Sequence, residues 1–353
     1  MTTMTLQPYL DDLERRLDST VEDRLEHEWK GFLEGHFTGD IFSPRRSRVS
    51  PPGLPWPTLS INAAFDDPER MVLRELAGCS AVLANGGGAM LNVRCNYSTA
   101  ILPSLFGTEL FTMEEHMNTL PTASPLDGGG LDPMRQLLDR GIPEVRTGLG
   151  ARVMDTAALF REVFQHHPNI RRHVHLYHPD LQGPMDVTEL LWGSALFYDI
   201  VDEPDLVSQV LTRVTDTYGR FMHAWEALIP SDPTHNVHWG LLHRGRLMLR
   251  DDSAMNFSPE MFDRFIRPYD ARLLGEFGGG AIHFCGRGDH YIASASTMPG
   301  LFAIQLSQPE CNDMEQIYRH TVDKGIRLLG LNRTAAEAAL AAGRQLHGLV
   351  HCW

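Results

Sequence analysis

"GAIHFCGRGDHYIASASTMPGLFAIQLSQ", residues 280–308, is the stretch on which the fold turns. It opens on a short apolar run, GAIHFCG (280–286), passes through a helical segment, DHYIASAS (289–296), and closes on LFAIQLSQ (301–308). Apolar runs of this length without strict alternation fit parallel strands buried on both faces. The unit repeats to the end. IRLLGLNR (326–333) and LHGLVHCW (346–353) read as further strands, separated by the helices NDMEQIYRHTVDKG (312–325) and AAEAALAAG (335–343).

Working toward the N-terminus, HVHLYHPDLQG (173–183) and GRLMLRDDSA (245–254) read as strands. TELLWGSALFYDIV (188–201) and the long segment 202–229 read as helices, the second with Pro204 near its first turn. SPEMFDRFIRPYDARLLGEFG (258–278) is a helix opened by Ser258 and Pro259. The alternation predicts an α/β fold, a (β/α)8 TIM-like barrel with an N-terminal helical extension. A doubly wound sheet would share the alternation, but no G-x-G-x-x-G follows a strand. NGGGAM (85–90) lacks a following Lys-Ser/Thr and reads as a turn.

Before the barrel, Leu10, Leu13, Leu17, Val21, Leu25, Trp29 and Phe32 keep helical spacing through 7–36. They predict one helix, either packed on the main domain or serving as a dimerisation arm in a homodimer. FSPRRSRVSPPGLPWP is a Pro-rich loop whose Arg45, Arg46 and Arg48 read either as a solvated cluster or as partners of an anionic substrate. The expected organisation is therefore 1–57 for the N-terminal helix and loop, and 58–353 for the barrel.

A net charge of -14 over 353 residues argues against a nucleic-acid surface. No run approaches the ~18 apolar residues that span a bilayer, and MTTMTLQPYLDDLERR lacks a basic region followed by an apolar one. Five scattered cysteines make no disulfide framework, so a cytoplasmic, reducing location is expected. The two lysines, Lys30 and Lys324, sit in helices, which argues against Schiff-base chemistry.

Chemistry gathers at the C-terminal ends of the strands: Asp180 and Gln182, Asp251 and Asp252, His283 and Cys285, Glu310, Asn332 and Arg333, His351 and Cys352. His283 and Cys285 lie two apart on a strand, hence on one face. They are either half a metal site or two packing residues. Barrel closure would bring Cys352 round to them, and an imidazole with two thiolates favours Zn²⁺ with one open position. Cys79, Cys95 and Cys311 read as packing residues, and His243, His290 and His351 as surface or hydrogen-bonded histidines.

Residues 178–225, with the Gly183–Pro184 pair and Asp202-Glu-Pro-Asp205, resemble the central segment of the uroporphyrinogen decarboxylase superfamily. NFSPEMFDRFIRPYDARLLGEF and GAIHFCGRGDHYI are similar to its next helix and strand. The resemblance covers about 170–353, and the N-terminal third loosely through NVRCNYSTAILPSLFG, which supplies Asn96 and Tyr97 as substrate-binding candidates. It implies the superfamily's distorted TIM barrel. The decarboxylases' Met-Arg-Gln-Ala-Gly-Arg motif is missing, whereas His283, Cys285 and Cys352 match the zinc ligands of the branch that moves methyl groups between methylcobamides and thiols. Glu310 is the analogue of a fourth ligand, and Asp180, Gln182 and Asp251 would face the substrate.

The resemblance thus implies a zinc-dependent methyltransferase whose corrinoid arrives on a separate protein, because no Asp-x-His-x-x-Gly corrinoid motif occurs. A small-molecule thiol or related acceptor would take the methyl group. A decarboxylase or other lyase using Asp180, Asp251 and the N-terminal arginines is one rival. A non-enzymatic tetrapyrrole- or corrinoid-binding protein is the other.

Overall fold

Strand formation follows the apolar runs, and twelve strands occur among the described residues, 6–353, of the computed structural model. They are β1 (Ile41–Phe42), β2 (Asn92–Val93), β3 (Leu110–Phe111), β4 (Thr122–Ala123), β5 (His175–Leu176) and β6 (His235–His238), then β7 (Leu241–Arg244), β8 (Leu247–Arg250), β9 (Gly280–Phe284), β10 (Leu301–Leu306), β11 (Arg327–Leu328) and β12 (Val350–His351). Residues 1–5, the start of the stretch expected to carry no secretory signal, lie outside the described residues. No helix among the described residues is long and apolar enough to cross a membrane.

Six strands form one parallel sheet in the order β1-β12-β11-β10-β9-β8. A parallel pair, β2-β5, and two antiparallel pairs, β3-β4 and β6-β7, stand beside it. The fold is mixed α/β, and helices connect the consecutive strands from β8 to β12. Register places Arg250 and Gln305 on either side of His283. Segment 1–57 contributes β1 to the sheet, where Ile41 and Phe42 pair with Val350 and His351.

Period-two alternation sorts the strand side chains into two cores. Leu247, Leu249, Ile282, Phe284, Ile304, Leu306, Leu328 and Val350 join the larger core. Met248, Ala281, Ala303 and Leu329 face a smaller one, filled by Leu25, Trp29, Phe32 and Leu33 of the helix Ser19–Glu34. Trp29 is fully buried there, and its Nε1–H donates to Gly88 O at 2.9 Å. Removing that indole would cost roughly 3–5 kcal/mol.

The single helix expected over 7–36 is two, Gln7–Arg16 and Ser19–Glu34. Asp18 breaks the run because its carboxylate accepts the Thr20 N–H at 3.0 Å, an N-cap bond that a helix interior cannot offer. The Pro-rich arginine cluster is not uniformly solvated either. Arg46 is buried and holds both carboxylate oxygens of Glu22, at 2.8 and 2.7 Å. Segment 188–201 divides at Gly193, and 258–278 divides at Ile266, two residues before Pro268. The glycine-rich 85–90 is a turn, as expected: Gly86, at φ 67°, ends the helix Pro68–Asn85.

Candidate metal centre

His283 sits one residue before the end of β9, on the face shared with Ala281, and Cys285 follows the strand. Its Nδ1–H donates to Gln305 Oε1 on β10. That bond fixes the tautomer and turns Nε2 toward the strand ends. Cys285 Sγ and Asp252 Oδ1 each lie 3.4 Å from Nε2. Asp252 also accepts the Cys285 N–H at 2.8 Å. Donor atoms of Asp252, His283 and Cys285 all fall within 4.8 Å of one another, close enough to hold one metal ion.

Electrostatics match this geometry. Burial opposes a charged ring, but Asp252, Cys285 and Gln305 outweigh it and push His283 up to about 9. Burial likewise works against the Asp252 carboxylate, yet the bonds to His283 and Cys285 hold it below the ordinary carboxylate range. Metal-free, the pair is an imidazolium beside a carboxylate, so a cation would replace a proton.

Asp252 opens the turn Asp252–Asn256 after β8, and a buried carboxyl group fixes that turn. Asp186 accepts the Asp252 and Ser253 N–H groups at 3.0 and 2.8 Å. Burial, with Asp251 and Asp252 nearby, pushes Asp186 well above the usual carboxylate range. Gly183 is required alongside, since its N–H donates to Arg250 O at 2.8 Å and a Cβ would stand 2.5 Å from that oxygen.

The β6-β7 hairpin supplies the wall. Its two-residue tip, Trp239 and Gly240, has φ of 50° and 78°, the signs of a type I′ turn. Glycine takes that conformation freely, whereas tryptophan does so at a cost. The indole lies edge-on to His283, centroids 5.1 Å apart, and under the Arg250 guanidinium at 4.3 Å. Arg250 and Arg94 both bind Asp180. Trp239 and Arg94 also line an open cleft of about 680 Å³ with Glu75, Asn96 and Tyr177.

Of the residues singled out in the sequence, His283 and Cys285 come together, Asn96 lines the neighbouring cleft, and Asp180 joins the two arginines. Asp251 lies beneath the centre, its N–H donating to His283 O at 2.9 Å and its carboxyl raised by burial and Asp270. Gln182 is buried, with Oε1 unpartnered. Tyr97 packs in the larger core, its hydroxyl 2.7 Å from Thr156 Oγ1. Glu310 is exposed in a groove with Met314 and Tyr318.

Cys352 falls outside the Asp252–His283–Cys285 group. It follows His351, whose ring packs 4.5 Å from Trp29, so alternation sends the thiol into the larger core. Burial pushes it up to about 11, with Arg333 and Glu337 the nearest charges. Cys79 and Cys95 are buried as expected, but Cys311 is exposed. His243 and His290 bond to the carbonyls of Arg244 and Phe257, and His351 is buried.

Sequence reasoning missed three residues. Asp252 was legible only as a strand-end polar residue. Gln305 was findable, because LFAIQLSQ places it on the same face as Ala303 in the strand next to His283. Trp239 carried a signal too, the Trp-Gly pair between HNVH and LLHR. No protein-family model matches this chain, and no curated protein matches it.

Proposed function

We propose that the chain is a zinc-dependent methyltransferase, moving a methyl group from a corrinoid on a separate protein to a small thiol. The convergence of Asp252, His283 and Cys285 carries this reading. One nitrogen, one carboxylate and one thiolate leave the fourth tetrahedral position open, the pattern of a catalytic site. Zinc held there would bind the acceptor thiol and lower its pKa, supplying a thiolate at neutral pH.

The charge balance suits that task. Asp252 and Cys285 together neutralise a divalent ion, as two thiolates would, so an added thiolate keeps excess negative charge. Gln305 holds His283 in the ligating tautomer, and Trp239 shields one side of the ring. In such a transfer the acceptor sulfur would attack the methyl carbon, and the electron pair of the carbon–cobalt bond would stay with cobalt.

A (β/α)8 barrel is the architecture we propose around this centre. β1, β2, β5, β8, β9, β10, β11 and β12 are eight strands with parallel partners, and chain order runs from β1 to β12, which pair. The donation from Gly183 N–H to Arg250 O supports placing β5 beside β8. All five cysteines are free, which suits the cytoplasm.

The test is zinc content and methyl transfer from methylcobalamin to 2-mercaptoethanol. About one zinc per chain and turnover are expected, both lost in Cys285→Ser and Asp252→Asn. A folded wild type that takes up no zinc would overturn the reading. The Arg94–Asp180–Arg250 group favours one rival, a lyase holding a substrate carboxylate, and activity without metal would support it.

A further inference from the structure

A cavity of about 620 Å³ opens at the other end of the strands. Arg246, which lines it, precedes β8, whereas Asp252 follows β8. At ~3.3 Å per residue, the six steps between them span up to roughly 20 Å. The walls come from β5, from β6, from the helix Ser19–Glu34 through Glu26 and Lys30, and from the ends of three further helices, Gly148–Gln165, Pro168–His173 and Pro204–Leu228.

Its charge runs against that of the chain. Lys30, Arg161, Arg171 and Arg246 line it, against Glu26 and Asp232. Lys30 is taken by Glu26 at 2.6 Å, and Arg246 by Glu226 at 3.5 Å. Arg161, exposed at the cavity, meets the Leu228 carbonyl at 3.2 Å, and Arg171 is likewise exposed there, with no ion pair among the described residues. Two guanidinium groups are therefore available to an anion.

The histidines supply the opposite wall, and their tautomers follow from their partners. His243 Nδ1–H donates to Arg244 O at 3.0 Å, so its Nε2 accepts from His238 Nδ1–H at 2.7 Å. His238 is 2% exposed, lines the cavity, and keeps an Nε2 lone pair with no partner. His235 reaches the same state. Thr234 gives its hydroxyl proton to Asp232, so His235 Nδ1–H donates to Thr234 Oγ1 and Nε2 is left unpartnered. Burial keeps these rings neutral, pushing His243 down to about 4 and His238 further below its usual value. Neutral imidazole nitrogens without protons accept hydrogen bonds from hydroxyl groups and repel anionic oxygens.

We infer that this cavity binds an anionic polyol, its phosphate or carboxylate on Arg161 and Arg171 and its hydroxyls on His235 and His238. The volume suits a ligand of sugar-phosphate size. Occupation satisfies two buried lone pairs that the protein leaves open. Neither zinc nor methyl transfer enters this inference, and the site stands or falls separately from the centre at the other end.

Calorimetric titration of the full chain, with and without zinc, is the test. The probes are ribose 5-phosphate, gluconate, ribose and inorganic phosphate. Ribose 5-phosphate or gluconate should bind at least about tenfold more tightly than ribose or phosphate alone. Arg171→Ala and Arg161→Ala should each weaken that binding about tenfold. His235→Phe should abolish the preference for the polyol over bare phosphate, and His238→Phe should do the same if it folds. No binding of either anionic polyol, equal binding of bare phosphate, or indifference to all the variants would overturn the inference.

Discussion

The Trp239 indole meets the His283 imidazole at 70°, ring centroids 5.1 Å apart, from a backbone position with φ of 50°. A bulky residue in that conformation is held there by its surroundings, and here the surroundings are His283 on one side and Arg250 on the other. Trp239→Ala should therefore weaken zinc binding by about tenfold, through loss of the wall that limits the ring's motion. Competition against a chromophoric chelator measures this. Unchanged affinity would show that the hairpin merely covers the centre.

Gln305 acts on the same ring from the opposite edge. Gln305→Leu removes the acceptor of the Nδ1–H and frees both rotation and tautomer. Zinc affinity should fall about 10–100-fold, the usual cost of losing an outer partner of a ligating histidine. Gln305→Glu restores an acceptor and should recover most of it. If leucine and glutamate behave alike in the chelator titration, Gln305 does not orient the ring.

The strands from β8 to β12 were legible because each is a short apolar run between turn signals and helical segments. The N-terminal third was not. β1 and β2 are two residues each, as β11 and β12 are, but they do not sit in apolar runs between predicted helices, and their partners lie far along the chain. His283 and Cys285 were readable because two-residue spacing fixes a shared face. Asp252 was not, since its place depends on the turn that Asp186 fixes from a different helix. Cys352 illustrates the limit of reasoning by strand ends: His351 and Cys352 are adjacent, and one step along a strand reverses the face.

That reversal yields a prediction separating the thiols. Cys285→Ala should lose zinc, because two donors from Asp252 and His283 hold the ion too weakly. Cys352→Ala should keep zinc and lose about 1–2 kcal/mol of stability, as expected for trimming a buried side chain. Metal analysis together with urea unfolding separates these outcomes. Loss of zinc from folded Cys352→Ala would bring the last strand back into the centre.

His351 gives the clearest pH dependence. Its Nδ1 accepts the Gly330 N–H at 3.0 Å, and its ring is buried against Trp29. Burial, helped by Arg333, pushes it down to about 3. In the unfolded chain the ring takes up a proton near 6.5. Unfolding therefore gains a proton between those values, and stability contributed by the neutral ring is full above about 6.5 and lost as pH falls toward 3. The loss at pH 5 is about 2 kcal/mol. Asp186, Asp251 and Asp270 oppose it. Their raised values give stability at low pH that is lost as pH rises, so the wild-type profile alone mixes the two signs. Comparison with His351→Gln isolates the ring, because glutamine can still accept the Gly330 N–H but carries no titrating group. From pH 6.5 to 5, wild type should lose about 1.6 kcal/mol relative to His351→Gln in urea unfolding. Parallel curves over that range would mean that His351 takes up its proton as readily in the folded protein as in the unfolded chain, against its burial on Trp29.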